Sequence, residues 1–292
     1  MKRKTINKVI KQKMEDWIAS IDDKELRKKL KEDIIVTGGC ITSMFLQEKI
    51  NDFDVYLRTK ETAKEVATYY VNKFYEKYPD KYIIEVIVDK DRISIKVHSE
   101  GLAEADDAEE NMLEDPDLLG DNELLFAKEE EKSQEKYRPM FLSTNAITLS
   151  DKIQVIIRFY GTPEEIHKNY DFKHVTNYWT FDEGLVTNTR ALECILSKEL
   201  LYCGSKYPLA SIIRTRKFIR RGWTINAGQY LKMAFQLNEL NLSDPEVLEE
   251  QLTGVDIFYM HQVIKKLKQK REEDQDMDIK DYFLSVVSKI FD

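Results

Sequence analysis

The stretch that decides the fold runs from Ile34 to Leu57, IIVTGGCITSMFLQEKINDFDVYL. Ile34 to Thr37 is a short β-branched run of the kind that forms a buried strand. Gly38-Gly39 breaks it with a turn. Ile41 to Gln47 then reads as a helix, and Phe53 to Leu57 as a second strand. Asp52 and Asp54 stand two apart on that second strand, so their side chains point to one face. Two carboxylates that close repel each other unless a cation lies between them, and hard divalent ions such as Mg2+ take such oxygen ligands. Gly38 and Gly39 carry no side chain, so backbone N–H groups can approach a phosphate, and the following helix N-terminus favours negative charge. Ser43 can add a hydroxyl. Triphosphate, Mg2+ and an attacking hydroxyl would meet at one place, as metal-assisted nucleotidyl transfer requires.

Outward from this unit the pattern stays mixed. Thr5 to Ser20 and Glu25 to Leu30 have helical spacing, and Glu61 to Tyr75 is a further helix. Tyr82 to Val88 and Ile93 to Val97 read as strands around a DKDR turn. Ala146 to Leu149 and Ile153 to Phe159 read as a hairpin around Ser150-Asp151. Thr162, Pro163 and Glu165 mark a helix start, and His174 to Trp179 reads as a strand. Beyond Thr189 the pattern is helical, apart from a strand-like Glu199 to Cys203. The helices are expected at Pro208 to Arg221, Asn226 to Leu237, Asp244 to Leu252, Val255 to Arg271 and Ile279 to Ile290. The expected fold class is α/β (α+β): a small mixed sheet with helices over residues 1–185, then a helical neck and body over 186–292.

The 292 residues carry a net charge of -8. Fourteen acids and two bases between Glu104 and Glu135 give that stretch -12, which leaves +4 on the remainder. The body is mildly basic, so a phosphate-bearing partner is compatible with the charge. The acidic insertion, at about 102–136, reads as a solvated surface element and a possible arm for a protein partner. Three cysteines without a CxxC pair argue against a disulfide framework or a thiolate zinc site. No run approaches the ~20 apolar residues of a membrane helix, and the N-terminal segment lacks the apolar block of a secretory signal. A cytoplasmic location without membrane contact is the expectation.

The segment GGCITSMFLQEKINDFDVYL resembles the opening signature of the DNA polymerase beta type nucleotidyltransferase superfamily. In layout it is most similar to the head of the CCA-adding enzymes and bacterial poly(A) polymerases. Asp171-Phe172 followed by Asn177 is similar to a downstream block of that family. Pro208-Leu209 through Arg214-Thr215-Arg216-Lys217-Phe218 to Arg221-Gly222-Trp223 resembles its neck helix. The resemblance implies Mg2+-dependent movement of a nucleoside monophosphate from an NTP to a hydroxyl. The implied acceptor is the 3′ end of an RNA of tRNA type. Asp52 and Asp54 would hold the metal. Gly38, Gly39 and Ser43 would bind the β and γ phosphates, with Arg214 and Lys217 neutralising charge. The superfamily's third carboxylate lies on a neighbouring strand. Ile153 to Phe159 offers only Gln154 there, so Asp171 is the expected catalytic partner and Asp151 the expected additional metal ligand, with Glu85 and Asp89 as further candidates. The chain also departs from the family in having Thr42-Ser43 where CCA-adding enzymes carry an arginine-aspartate pair, and Ala210-Ser211 in the base-reading stretch. Three other readings share the same residues: nucleotidyl transfer to a protein, transfer to a small molecule, and a non-catalytic binding or assembly protein.

Overall fold

A computed structural model describes residues 1–77, 83–89, 93–98, 135–242 and 244–251. The acidic stretch expected at 102–136 lies outside the described residues except for its last two positions. The helices expected at 255–271 and 279–290 lie outside them as well.

Helix α1 (Arg3–Ser20) turns Ile6, Ile10, Met14 and Trp17 inward at helical spacing. Helix α2 (Lys24–Asp33) starts at Asp23, whose carboxylate accepts the N–H groups of Glu25 and Leu26. Strand β1 (Ile34–Thr37), helix α3 (Gly39–Leu46), strand β2 (Phe53–Leu57) and helix α4 (Lys60–Lys77) follow. Strands β3 (Ile83–Val88) and β4 (Ile93–His98) form a separate two-stranded sheet. Strands β5 (Pro139–Leu142), β6 (Ala146–Leu149) and β7 (Ile153–Tyr160) lead to helix α5 (Pro163–His167). There Thr162 and Glu165 form the expected reciprocal capping box. A 3₁₀ turn (Lys173–Val175), strands β8 (Tyr178–Thr180) and β9 (Gly184–Val186) and helix α6 (Thr189–Ser197) follow.

The main sheet has the order β5-β6-β7-β2-β1-β8-β9. Neighbours are antiparallel except β2 and β7, which are parallel. The period of two sorts the strand residues by face. Ile34, Val36, Phe53, Val55, Leu57, Ile153, Val155 and Ile157 join the core with α1, α2, α3 and α4. Ile35 and Tyr56 belong to the opposite face, where they pack with Ile166 of α5. The α1–α4 side is tied by Trp17, whose Nε1 donates to the buried Tyr70 hydroxyl at 2.7 Å. This is the expected small mixed sheet with helices, with further helices after it.

Three local expectations change. Helix α3 begins at Gly39, two residues before Ile41, because Gly38 alone makes the turn at φ +93° and ψ -152°. The segment read as one strand from His174 to Trp179 is instead the 3₁₀ turn followed by β8. The carbonyls of His174 and Val175 are taken by Thr42 Oγ1 and the Gly38 N–H, at 2.9 and 3.3 Å. Those bonds hold the chain out of the ladder until Tyr178. Glu199 to Cys203 forms no strand: Glu199 makes an isolated bridge with Thr224, and Tyr202 is likewise a single bridge residue. The Tyr202 N–H goes to the Gln229 side chain instead of to a strand.

Contacts divide the described residues into two compact units, with the break between Lys198 and Glu199. The second contains helices α7 (Pro208–Arg220), α8 (Ala227–Leu237) and α9 (Pro245–Gln251). Helix α7 buries Pro208, Ala210, Ser211, Ile213 and Thr215. Among the described residues no helix is long and apolar enough to cross a membrane.

Replacing a fully buried core side chain tests the packing of α1. Ile10→Ala is expected to lower unfolding free energy by about 2–4 kcal/mol in urea denaturation, with secondary structure retained by circular dichroism. Exchange of the exposed Lys11 for Ala should cost within about 0.5 kcal/mol.

Candidate active site

The site begins where β1 ends. Thr37 is the last residue of the strand, and the antiparallel register places it opposite Asp54 of β2. Gly38 then reverses the chain into α3. A Cβ on Gly38 would lie 2.7 Å from Asp54 Oδ2 and 3.6 Å from the Tyr170 hydroxyl. The Asp54 carboxylate therefore lies against bare backbone at the turn, where a side chain would displace it and where φ +93° itself favours glycine. Gly39 differs: a Cβ there would meet no atom within 4 Å, and the residue is exposed. The second glycine keeps the first turn of α3 open. The N-cap residue, Gly38, has no side chain with which to cap that helix. Such a terminus attracts anions.

Asp52 immediately precedes β2 and is half-buried, like Asp54. Ser43 lies one helical turn after Gly39, on the same face of α3, and is buried. Asp54, Gly38 and Gly39 are thus adjoining parts of one strand–turn–helix unit, with Asp52 two residues before Asp54. Both aspartates supply hard oxygen ligands and fit the chemistry of a Mg2+ ion.

Among the described residues no three His, Cys, Asp or Glu side chains form a group able to hold a metal ion. Asp151 sits at φ +60° in the turn between β6 and β7. Its charge acts on Lys13 and Tyr137, and the Lys13 ammonium lies over the Phe53 and Tyr137 rings, on the face opposite Asp54. Asp171 is buried just before the 3₁₀ turn. Glu85 lies in the separate β3–β4 sheet and Asp89 just past its β3 strand. Arg214, half-buried, and Lys217, exposed, stand on α7 in the second unit. The part of Arg214 and Lys217 in nucleotide binding remains a proposal.

The structure adds residues that the sequence pattern did not single out. Thr37 is fully buried. Its hydroxyl lies 2.8 Å from His167 Nε2 and donates to the Asn177 carbonyl at 2.9 Å. The ring of Tyr170 stands 6.1 Å from that of Tyr56 and 5.1 Å from that of His167. Burial, then the neighbouring Tyr56 and Asp54, push the Tyr170 phenol well above the usual tyrosine range. Burial likewise raises the Cys40 thiol, and the Asp54 charge adds to it. Burial lowers His167 to about 4. A polar but uncharged wall thus backs Asp54. Its one sequence signal is the threonine closing an otherwise apolar strand.

Residues 8–198 match the model of the Gad2 family, described as "Gabija anti-defense 2 family protein". That match spans more than half of the chain, and the chain belongs to this family. No curated protein matches it. Among solved structures, it is similar to the Thermotoga maritima CCA-adding enzyme complexed with tRNA, with a TM-score of 0.40 and 13% identity. That alignment covers 82% of this chain and 50% of the other. The Bacillus stearothermophilus CCA-adding enzyme in complex with CTP is similar at a TM-score of 0.39 and 12% identity, over 82% and 48%. The chain spans about half the length of these two enzymes.

Two outcomes follow from the geometry. Gly38→Ala forces a Cβ against Asp54 in a conformation that L side chains rarely adopt, so it should cost about 1–3 kcal/mol. Gly39→Ala should be nearly neutral to stability, and melting curves of both variants check this. His167, held neutral in the fold, binds a proton more readily when unfolded. Stability should therefore rise with pH between about 4 and the ordinary histidine value of about 6.5. Acidification across that window should destabilise the protein, and His167→Gln should flatten the dependence in urea titrations.

Proposed function

We propose that this member of the Gabija anti-defense 2 family is a Mg2+-dependent nucleotidyltransferase that moves a nucleoside monophosphate from an NTP to a hydroxyl. The observation that carries the reading is the Asp54 carboxylate lying against the bare Gly38 backbone at the start of α3, with Asp52 two residues away. Asp52 and Asp54 would hold Mg2+, which when bound supplies charge neutralisation at the reacting phosphate. The N–H groups at the start of α3, including that of Gly39, would hold the β and γ phosphates, with the Ser43 hydroxyl as an added contact. Arg214 and Lys217 would neutralise charge developing on the pyrophosphate. The attacking hydroxyl displaces pyrophosphate at the α phosphorus, and its proton leaves to solvent or to a carboxylate. The Asp171 role as that base is part of the same proposal.

The acceptor we favour is the 3′ end of an RNA of tRNA type. The support is the positive balance outside the acidic stretch and the run Arg214, Arg216, Lys217, Arg220 and Arg221 on and just after α7. The family description favours a second acceptor. Its words set these proteins against a defence named Gabija, so a hydroxyl on a protein of that defence is the alternative target. The division at residue 185 into head and helical body, and the acidic insertion as a protein-binding arm, belong to this reading as well.

The test is incubation of the full chain with Mg2+, each α-labelled NTP in turn, and total RNA, protein extract or no acceptor. Products are resolved on denaturing gels. Label is expected in RNA and should fall roughly a hundredfold or more in Asp52→Asn and Asp54→Asn. Label in protein alone would move the assignment to the protein acceptor. No incorporation under any condition would remove the enzymatic reading.

A further inference from the structure

A single row of registered residues crosses the main sheet at the site: Tyr178, Thr37, Asp54, Gln154, Thr148 and Phe141. Asp54 is the one charged residue in it. Registered partners on parallel strands stand side by side on one face, about 4.8 Å apart. Gln154 is therefore the immediate β7 neighbour of the Asp54 carboxylate, and it is half-buried. Thr37, the β1 neighbour, is already bonded to Asn177 and His167.

A glutamine offers one neutral carbonyl oxygen where a glutamate would offer two charged ones. The protein side of the site thus supplies the Asp52 and Asp54 carboxylates, and among the described residues no three acids, His or Cys form a group able to hold a metal ion. Mg2+ gives up water reluctantly and is commonly held by one or two carboxylates together with substrate phosphates. We infer that Gln154 keeps the Asp52–Asp54 pair from retaining a divalent ion on its own, so that the ion enters with the triphosphate. This rests on the nucleotidyl-transfer reading of the site. Gln154 acts here as a residue that sets ligand charge, and it makes metal occupancy conditional on nucleotide.

The experiment is calorimetric titration of the full chain with Mn2+ alone, or with the preformed Mn2+ complexes of α,β-methylene nucleoside triphosphates, which cannot be transferred. The wild-type chain should bind the best of these complexes at least about tenfold more tightly than the bare ion, and Gln154→Glu should tighten bare-ion binding by about tenfold. Gln154→Asn should stay within about twofold of wild type. Wild-type binding of the bare ion as tight as that of the complex overturns the inference, even where the glutamate variant does not fold. A folded Gln154→Glu that gains nothing overturns it as well. Loss of complex binding in Asp54→Asn shows that the site reading stands while the role of Gln154 is judged. Complex binding that survives Asp54→Asn removes the site reading and the inference together.

Discussion

The approach of the Asp54 carboxylate to the backbone of Gly38 sets the constraints for everything around it. At 2.7 Å from the position of a missing Cβ, the oxygen would have to move for any side chain on residue 38. That contact needs three things at once. β1 and β2 must pair so that Thr37 faces Asp54. The chain must reverse immediately after Thr37, and the residue that reverses it must adopt a positive φ. A one-residue slip of β2 would turn Asp54 into the apolar face and bring Val55 out to the turn. The hydrophobic alternation of β2 therefore protects the chemistry as well as the core. Phe53, Val55 and Leu57 are buried against helices, and this fixes which way the acids point.

The same register explains why one strand unit was readable in advance and its surroundings were not. Ile34 to Thr37 and Phe53 to Leu57 carry their structure in local composition, and their expected bounds match the observed strands. The start of α3 is not legible in the sequence because two adjacent glycines look alike there. Only the structure separates the one that reverses the chain from the one that leaves space. The turn at Lys173–Val175 was unreadable for another reason. Its carbonyls are committed to Gly38 and Thr42, more than a hundred residues earlier, and no local pattern reports such a partner. Tyr170 is a similar case: an aromatic residue after a short helix reads as ordinary core until its hydroxyl is found beside Gly38.

The groups around Asp54 share one electrostatic property. Cys40 and Tyr170 are acids by nature, yet burial raises both, and the Asp54 charge raises them further. His167 is a base by nature, and burial holds it neutral down to about 4. Each of these groups is thereby kept from ionising near neutral pH. The charge of the wall behind the site is constant, and the net charge presented there is set by the aspartates.

A constant, uncharged wall changes what the aspartates can do. In a site lined with arginine, a triphosphate could bind through salt bridges before any metal arrived. The row through Asp54 holds no cation, and Thr42-Ser43 brings no charge. Within that row a bare triphosphate meets repulsion from Asp54, which the dipole of α3 offsets in part. A bare dication meets two carboxylates and a glutamine. A metal–triphosphate complex brings positive charge to the aspartates and negative charge to the helix terminus, so both contacts become favourable in one step. Asp54 on Gly38 holds these two opposite demands a few ångströms apart, and that separation is what makes the joint ligand a better fit than either half.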